Sequence, residues 1–347
     1  MPLDLKNTLK ELCDIAGPSG FEPEIARYCA KLLREYMDEV HIDRASNVIA
    51  LRRCGRENAI KLLFDAHIDE IGMIITGIEE GFLRFAAIGG VDPRMLVARE
   101  VRIMTEPPIV GVVCATPPHL LSGTERDKAM EIKDLYIDAG FSHREAVRRI
   151  KTGTPAVFCG ETVELAANSV SGKAMDDRAC FLTILRALEL LEDVSLNADL
   201  YVLASSQEEI GGRGAKTGVF GIAPDYCVAV DVTHAHTPDA SRDKTLKPGG
   251  GPAIGIGPNM TRSMSDALVK AASDNNIPCQ LEVMEGSSGT NGWTFQISRE
   301  GIPTAVVSVP LKYMHTPVET VLISDIESTA RLLAEFTRRF TKEGLLC

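Results

Sequence analysis

The sequence predicts an α/β fold in which a helix-covered mixed sheet is interrupted by a small β-rich insertion. From about residue 163 onward, long helical patterns alternate with short apolar runs, which is typical of a sheet covered by helices. Between residues 73 and 114, short β-type runs follow one another with no long helix between them. A chain of 347 residues is long enough to contain both parts.

The N-terminal part of the chain is predicted to contain two helices and two strands. Apolar residues at helical spacing predict a helix over residues 5–16, which ends at a Gly-Pro-Ser-Gly breaker. A second helix is expected over about 22–37, and strands over 48–51 and 60–66. The last of these is a nearly continuous apolar run, as in a strand buried on both faces, and it delivers His67 at its carboxyl end.

The predicted insertion covers residues 69–162. Its β-type runs are separated by glycine, proline and acidic turns, and they span residues 73–78, 82–88, 97–104 and 109–114. Ser142 and Glu145 have the spacing of a capping box, which predicts a short helix through Ile150. This part of the chain therefore resembles a small β module or barrel.

The main domain is predicted to consist of residues 1–68 and 163–347. Its second part alternates helices and apolar strands, with helices over 177–191, 263–274 and 324–341 and strands over 200–204 and 226–231. The insertion would thus interrupt one α/β domain.

Bulk composition argues against nucleic-acid and membrane partners. A net charge of −11 argues against a nucleic-acid partner, because phosphate binding needs a concentrated basic face. No run approaches the ~18 apolar residues that span a bilayer, and acidic residues interrupt the N-terminal apolar pattern where a signal peptide would be continuous. Nine scattered cysteines without a CxxC spacing fit free thiols, so we expect a cytoplasmic protein.

Two adjacent glutamates, Glu208 and Glu209, follow an apolar run and precede the Gly211-Gly212 turn. Neighbouring strand residues point to opposite faces of a sheet. Two carboxylates can therefore serve one cavity only where the strand ends and the chain bends. Paired acids at such a bend indicate a metal site.

Residues of the same ligand chemistry occur at other predicted strand ends. His67 follows one buried strand, Asp231 closes another, and His315 follows a third apolar run. Because ligands gather at the carboxyl ends of strands in open α/β sheets, we expect these side chains to meet Glu208 and Glu209. The set is large enough for a pair of divalent ions.

Some of these acids have alternative interpretations. Asp176 and Asp177 precede a helix and could cap its N-terminus, or one of them could bridge two metal ions while its neighbour supports it. Asp69 lies two positions after His67 and could accept a hydrogen bond from the second ring nitrogen of a metal-bound imidazole. Asp69 is therefore a second candidate catalytic residue beside Glu208.

These motifs, in this order, resemble the M42 family of metallo-aminopeptidases, the tetrahedral aminopeptidases that include glutamyl aminopeptidases and proteins labelled cellulase M or FrvX. The resemblance covers essentially the whole chain. The segments that carry it are Gly17-Pro18-Ser19-Gly20, His67-Ile68-Asp69-Glu70-Ile71-Gly72, Pro117-Pro118-His119-Leu120, Asp134-Leu135-Tyr136-Ile137-Asp138, Asp176-Asp177-Arg178, Glu208-Glu209-Ile210-Gly211 and Met314-His315-Thr316-Pro317-Val318-Glu319.

The resemblance implies two divalent metal ions per subunit, which would be zinc, cobalt or manganese. One ion would be bound by His67 and Asp231, the other by Glu209 and His315, and Asp176 would bridge both.

The resemblance also implies an activity and an assembly. Glu208 matches the family's general base, so the expected reaction is hydrolytic removal of N-terminal residues from peptides with a free N-terminus. The insertion would be a PDZ-like domain that helps twelve subunits, built from dimers, form a hollow tetrahedral particle. Many members have Gly-Thr-Asp where this chain has Gly289-Thr290-Asn291, so any transferred substrate preference stays open.

Three other functions are compatible with parts of the pattern. The same dinuclear site could serve an amidohydrolase of N-acyl amino acids. A glycoside hydrolase would use two carboxylates and normally no metal, so the histidines argue against it. A non-catalytic scaffold would use the insertion only for assembly, but it would not need an unligated Glu208.

Overall fold

The computed structural model describes residues 2–123, 130–238 and 240–346. One part is an eleven-stranded mixed sheet covered by helices, and the other is a closed six-stranded antiparallel barrel within residues 72–158. The predicted α/β class, with a mixed sheet and a separate β-rich unit, is confirmed.

The centre of the large sheet consists of parallel strands in the order β12 (Asp199–Ser205), β3 (Lys61–His67), β13 (Tyr226–His234) and β16 (Thr304–Lys312). Beyond β12 lie the antiparallel strands β2 (Val48–Arg52) and β1 (Glu39–Ile42). Beyond β16 lie β17 (Glu319–Leu322), β11 (Ser169–Gly172) and β10 (Val163–Leu165). A branch from β16 carries β14 (Ala253–Ile256) and then β15 (Gln280–Val283).

Successive side chains of the central strands pack alternately in two separate cores. In β3, Leu62 and Phe64 belong to the larger core, whereas Leu63 belongs to the smaller one. The larger core is covered by α1 (Leu5–Asp14), α2 (Pro23–Leu33), α4 (Met175–Leu190), α6 (Arg262–Asp274) and α8 (Ile323–Arg338). The smaller core is covered by α5 (Arg213–Ile222) and α7 (Gly292–Phe295). A strand buried on both faces favours apolar residues at most positions, which explains the nearly continuous apolar run in β3.

Helix ends differ from prediction by a few residues. The first helix ends at Asp14 because Ile15 already has an extended backbone, with φ −71° and ψ 130°. The second ends at Leu33, short of the predicted residue 37, and the last ends at Arg338. Apolar spacing continues into the following turns, so periodicity alone overestimates their length.

The barrel has the strand order β4 (Gly72–Glu79), β5 (Phe82–Ile88), β8 (Leu135–Asp138), β7 (Ile109–Ala115), β6 (Glu100–Ile103) and β9 (Pro155–Phe158), and β9 pairs with β4 to close it. It has its own apolar core. The capping box at Ser142 and Glu145 is present and opens α3 (His143–Arg149). The chain enters and leaves the barrel by adjacent strands, since Met73 pairs with Ala156.

Among the described residues, no helix has both the length and the apolar character that a membrane crossing requires.

Candidate active site and metal centre

The predicted ligand residues lie together at the carboxyl ends of the parallel strands. His67 is the last residue of β3, and Asp231 lies near the end of β13. Glu208 and Glu209 follow β12, and His315 follows β16. All of them line one cavity, as the strand-end argument predicts.

Strand alternation aims His67 and Asp231 in the same direction. His67 has the same parity along β3 as Leu63, and Asp231 has the same parity along β13 as Ala229. Leu63 and Ala229 both belong to the smaller core. The cavity therefore opens on the face of the sheet that α5 and α7 cover. On this face the strand residues are apolar in the smaller core and polar toward the carboxyl ends.

Asp176 lies between two imidazoles. Its Oδ1 is 3.0 Å from His67 Nε2, and its Oδ2 is 3.4 Å from His315 Nε2. Burial opposes ionisation of this carboxyl, but the two imidazoles hold its pKa below the usual value. The Asp176 carboxylate thus contacts both predicted ligand histidines, and the N-terminus of α4 has no side-chain capping hydrogen bond among the described residues. Asp176 also has non-helical backbone angles at the start of α4.

Glu209 and the inserted barrel hold His315 from opposite sides. Glu209 Oε1 lies 3.3 Å from His315 Nε2, and the carbonyl oxygen of Gly90 lies 3.2 Å from His315 Nδ1. A Cβ at Gly90 would lie 2.6 Å from that Nδ1, so only glycine allows this approach. The loop after β5 thus forms part of the site wall.

Asp69 is fully buried and organises the strand ends around it. It accepts hydrogen bonds from the backbone N–H groups of Glu208 (3.0 Å) and Glu209 (3.1 Å), and from the Ser19 hydroxyl (2.5 Å). Its backbone carbonyl oxygen lies 3.2 Å from His67 Nδ1, and its Oδ1 lies 3.4 Å from the same nitrogen. Burial would raise the pKa of Asp69, but His67 and these donors lower it. The predicted contact with the second imidazole nitrogen is thus present.

Glu208 differs from Glu209 in its surroundings. Its side chain is half-buried, and burial together with nearby carboxylates raises its pKa to about 7. The side chain of Glu209 contacts His315, whereas Glu208 lies where two cavities meet.

Asp177 also belongs to the cluster, although the sequence analysis predicts only a supporting role for it. One ligand atom each from His67, Asp177 and Asp231 lies within 4.8 Å of the others, and the same holds for His67, Asp176 and Glu209. Asp177 Oδ2 accepts a hydrogen bond from the His67 backbone N–H at 3.2 Å. Its Oδ1 is buried and has no hydrogen-bond partner within the described ranges.

Glu319 supports the site through hydrogen bonds, and the sequence analysis did not identify this role. Its carboxylate accepts hydrogen bonds from the backbone N–H of Asp176 (3.1 Å) and of His315 (2.7 Å). It therefore ties the two segments that meet in the site. Glu319 closes the last motif of the sequence, but nothing in the motif shows which backbone groups it binds.

A buried ionic network lies behind the site. Lys173 Nζ contacts both carboxylate oxygens of Glu70, at 2.7 and 2.8 Å, and Arg178 lies 3.4 Å from Glu70. Arg178 also donates to the carbonyl oxygens of Leu12 (2.6 Å) and Ile15 (2.5 Å), near the end of α1. The network joins α1, α4 and the segment that leads into the barrel.

The donor set fits divalent cations. The cavity has a volume of about 440 Å³, and among the described residues no Lys or Arg lines it. Burial and neighbouring carboxylates raise the pKa of Asp231 well above its usual value, and the pKa of Asp177 likewise. Buried carboxylates that repel one another are stabilised by bound cations, and carboxylate with imidazole suits several divalent metals.

A second cavity of about 300 Å³ adjoins the first and shares Glu208, Gly289 and Thr290 with it. Asn291 lines this second cavity. Its Nδ2 donates to Asp65 Oδ2 and to Ser205 Oγ, both at 2.9 Å. Asn291 therefore contacts groups behind the cluster and lies outside both ligand groups described above.

Comparisons with known proteins agree with this geometry. A sequence model of the family described as M42 glutamyl aminopeptidase matches residues 46–332. A lysyl aminopeptidase from Pyrococcus furiosus is 34% identical, over 93% of this chain and 94% of that protein. The structure of an aminopeptidase from Desulfurococcus kamchatkensis matches with a TM-score of 0.90 and 35% identity, covering 98% of this chain and 96% of that one.

A further match to a solved structure concerns assembly. The Pyrococcus horikoshii TET1 peptidase, which can assemble into a tetrahedron or a large octahedral shell, matches with a TM-score of 0.84 and 33% identity. The match covers 96% of this chain and 99% of that one. The protein described here therefore belongs to the M42 family of aminopeptidases.

Proposed function

We propose that this chain is a dinuclear-metal aminopeptidase in which Glu208 is the general base. The observation that carries the proposal is the cluster in which His67, Asp176 and Glu209 offer ligand atoms within 4.8 Å of one another. Asp231 and His315 complete the proposed ligand set, with Asp176 shared between the two ions. The metals are zinc, cobalt or manganese, which mixed imidazole and carboxylate sites accept.

Each protein group has a separate task in this proposal. When bound, the two cations would polarise the peptide carbonyl and acidify the attacking water. Glu208 takes the proton of that water and passes it to the departing amine. Asp69 holds the backbone of Glu208 and Glu209 and orients His67, so it is a positioning residue.

The two cavities fit a peptide that is cut at its first bond. Glu208 lies on both cavities, so the scissile bond would lie between them. The first residue would occupy the cavity of the proposed metal ligands, where carboxylates attract the free α-ammonium group. The residues after the scissile bond would lie in the second cavity.

The decisive experiment compares free and N-acetylated forms of one peptide in the metal-loaded protein. We expect stepwise release of N-terminal residues from the free form only, loss of turnover with a chelator, and recovery on adding a divalent ion. Equal rates on both forms would identify an N-acyl amidohydrolase or an endopeptidase. Turnover that resists chelation would contradict the dinuclear mechanism.

We also propose that residues 69–162 form a PDZ-like oligomerisation domain of a dodecamer built from dimers. Two observations support this proposal. The barrel has a core of its own, and it exposes apolar residues such as Val110 and Val112. The related TET1 peptidase assembles into closed shells.

A further inference from the structure

The cavity of the proposed metal ligands contains one carboxylate that the mechanism above does not use. Glu282 lies on β15, the strand at the end of the branch from β16. Leu281 and Val283 are 52% and 71% exposed, whereas Glu282 is half-buried and lines the cavity. Strand alternation therefore directs Glu282 inward while its two neighbours face outward.

Glu282 is held at a defined place relative to the metal cluster. Its Oε1 accepts a hydrogen bond of 2.5 Å from the Thr233 hydroxyl. Thr233 lies two residues after Asp231 on the same face of β13, which corresponds to roughly 7 Å along the strand. The Glu282 carboxylate is thus bound to the residue that lies two positions along β13 from the proposed ligand Asp231.

No described Lys or Arg in the cavity pairs with the negative charge of Glu282. Its Oε2 is buried and has no hydrogen-bond partner in the described part of the chain. The described residues that line the cavity include three histidines, His67, His234 and His315, but no Lys or Arg. A buried carboxylate is costly unless a cation pairs with it, and this cavity offers space for one.

We propose that Glu282 selects substrates whose first residue is Lys or Arg. This inference rests on the proposed aminopeptidase function, because it places the first residue beside the metal cluster and its side chain along β13 toward Glu282. The four-carbon stem of lysine suits the rise of β13 from Asp231 to Thr233, the residue that binds Glu282. The ammonium group would supply the partner that Oε2 lacks. An acidic first residue would instead bring its charge close to the Glu282 carboxylate, and no described Lys or Arg lines the cavity to pair with it.

Kinetics with aminoacyl-4-nitroanilides of Lys, Arg, Leu and Glu test the proposal in the metal-loaded protein. We expect the highest kcat/KM for Lys and Arg. Glu282→Gln should lower the ratio of Lys to Leu turnover by about tenfold or more, the usual effect of losing a hydrogen bond between charged groups. Glu285→Gln is the matched control, because Glu285 is an exposed residue three positions away that does not line the cavity.

A binding measurement separates this inference from the proposed function. Calorimetry with lysine amide and leucine amide, in a Glu208→Gln background that prevents hydrolysis, should show tighter binding of the lysine compound. Adding Glu282→Gln should remove that difference. If no anilide is turned over but the binding difference is present, the proposed reaction fails while the assignment of Glu282 stands. A Lys to Leu ratio that Glu282→Gln leaves unchanged, in both assays, overturns the assignment.

Discussion

At the scale of single residues, Glu208 and Glu209 are neighbours with different surroundings. The Glu209 carboxylate contacts His315, whereas the Glu208 side chain lies between the two cavities. The two residues follow β12 directly, and the different roles proposed for them rest on these different contacts.

We expect Glu208→Gln to keep its metal but to lose at least ~100-fold in turnover, because a general base contributes on that scale. Glu209→Gln should instead lose metal, and added metal should partly restore its activity. Elemental analysis measured beside turnover distinguishes the two variants. If Glu208→Gln lost metal while Glu209→Gln retained it, the two roles would be reversed.

Gly90 provides a second test at this scale. Gly90→Ala places a Cβ 2.6 Å from His315 Nδ1, so the imidazole must move. We expect metal affinity to fall about 10- to 100-fold, as when the support of a metal ligand is lost. Gly77→Ala is the control within the same barrel, because a Cβ there meets nothing within 4 Å. Equal metal binding by the two variants would contradict a role for Gly90.

The strand-end residues could be identified from the sequence because their placement depends on local rules. A buried strand must end, and polar residues near its carboxyl end then lie at the end of the sheet, as His67 and Asp231 do. Gly90 and Glu282 could not be identified in this way. Gly90 is 225 positions from His315, and Glu282 is 49 positions from Thr233, so only tertiary structure shows these contacts.

At the scale of elements, helix α4 joins the site to the N-terminal helices. Met175, the first residue of α4, precedes Asp176 and Asp177, and Arg178 on the same turn reaches the carbonyl oxygens at the end of α1. The sequence predicts this helix from residue 177 onward. It cannot show the non-helical backbone at the two aspartates, because that conformation depends on what their side chains contact.

We expect Arg178→Leu to destabilise the protein by about 3 kcal/mol or more, since removing one partner of a buried ionic network leaves polar groups unpaired. The free energy of unfolding is measured by denaturant titration of the metal-free protein. Arg262→Leu is the control, because the Arg262 side chain is 92% exposed on α6. If both substitutions lowered the free energy of unfolding by similar amounts, the network would not be what stabilises the fold.

At the scale of the whole molecule, the barrel and the sheet body meet at the site. The barrel has a separate core and enters and leaves through paired strands, so it can be excised with little strain. The large sheet keeps its strands when the barrel is absent, because every pairing partner of its strands lies outside residues 72–158.

Replacing residues 73–160 by a flexible linker should leave a folded α/β body that no longer forms the large particle. The intact chain should sediment as an assembly of twelve subunits of 37.6 kDa each. Sedimentation velocity and circular dichroism of the two proteins measure assembly and folding separately. A shortened protein that sediments as the same twelve-subunit particle would contradict the assembly role.

The buried position of Glu70 limits how the barrel can be exchanged between relatives. Glu70 is bound by Lys173 and Arg178 within the sheet body, whereas its neighbour Ile71 packs in the barrel core. The crossover point of a chimeric protein therefore lies between these two adjacent residues, two positions inside the insertion that is predicted to begin at residue 69. A donor barrel must also bring a loop that fits His315, as Gly90 does here. A chimeric protein that fails either condition would consist of subunits in which the proposed metal site is impaired.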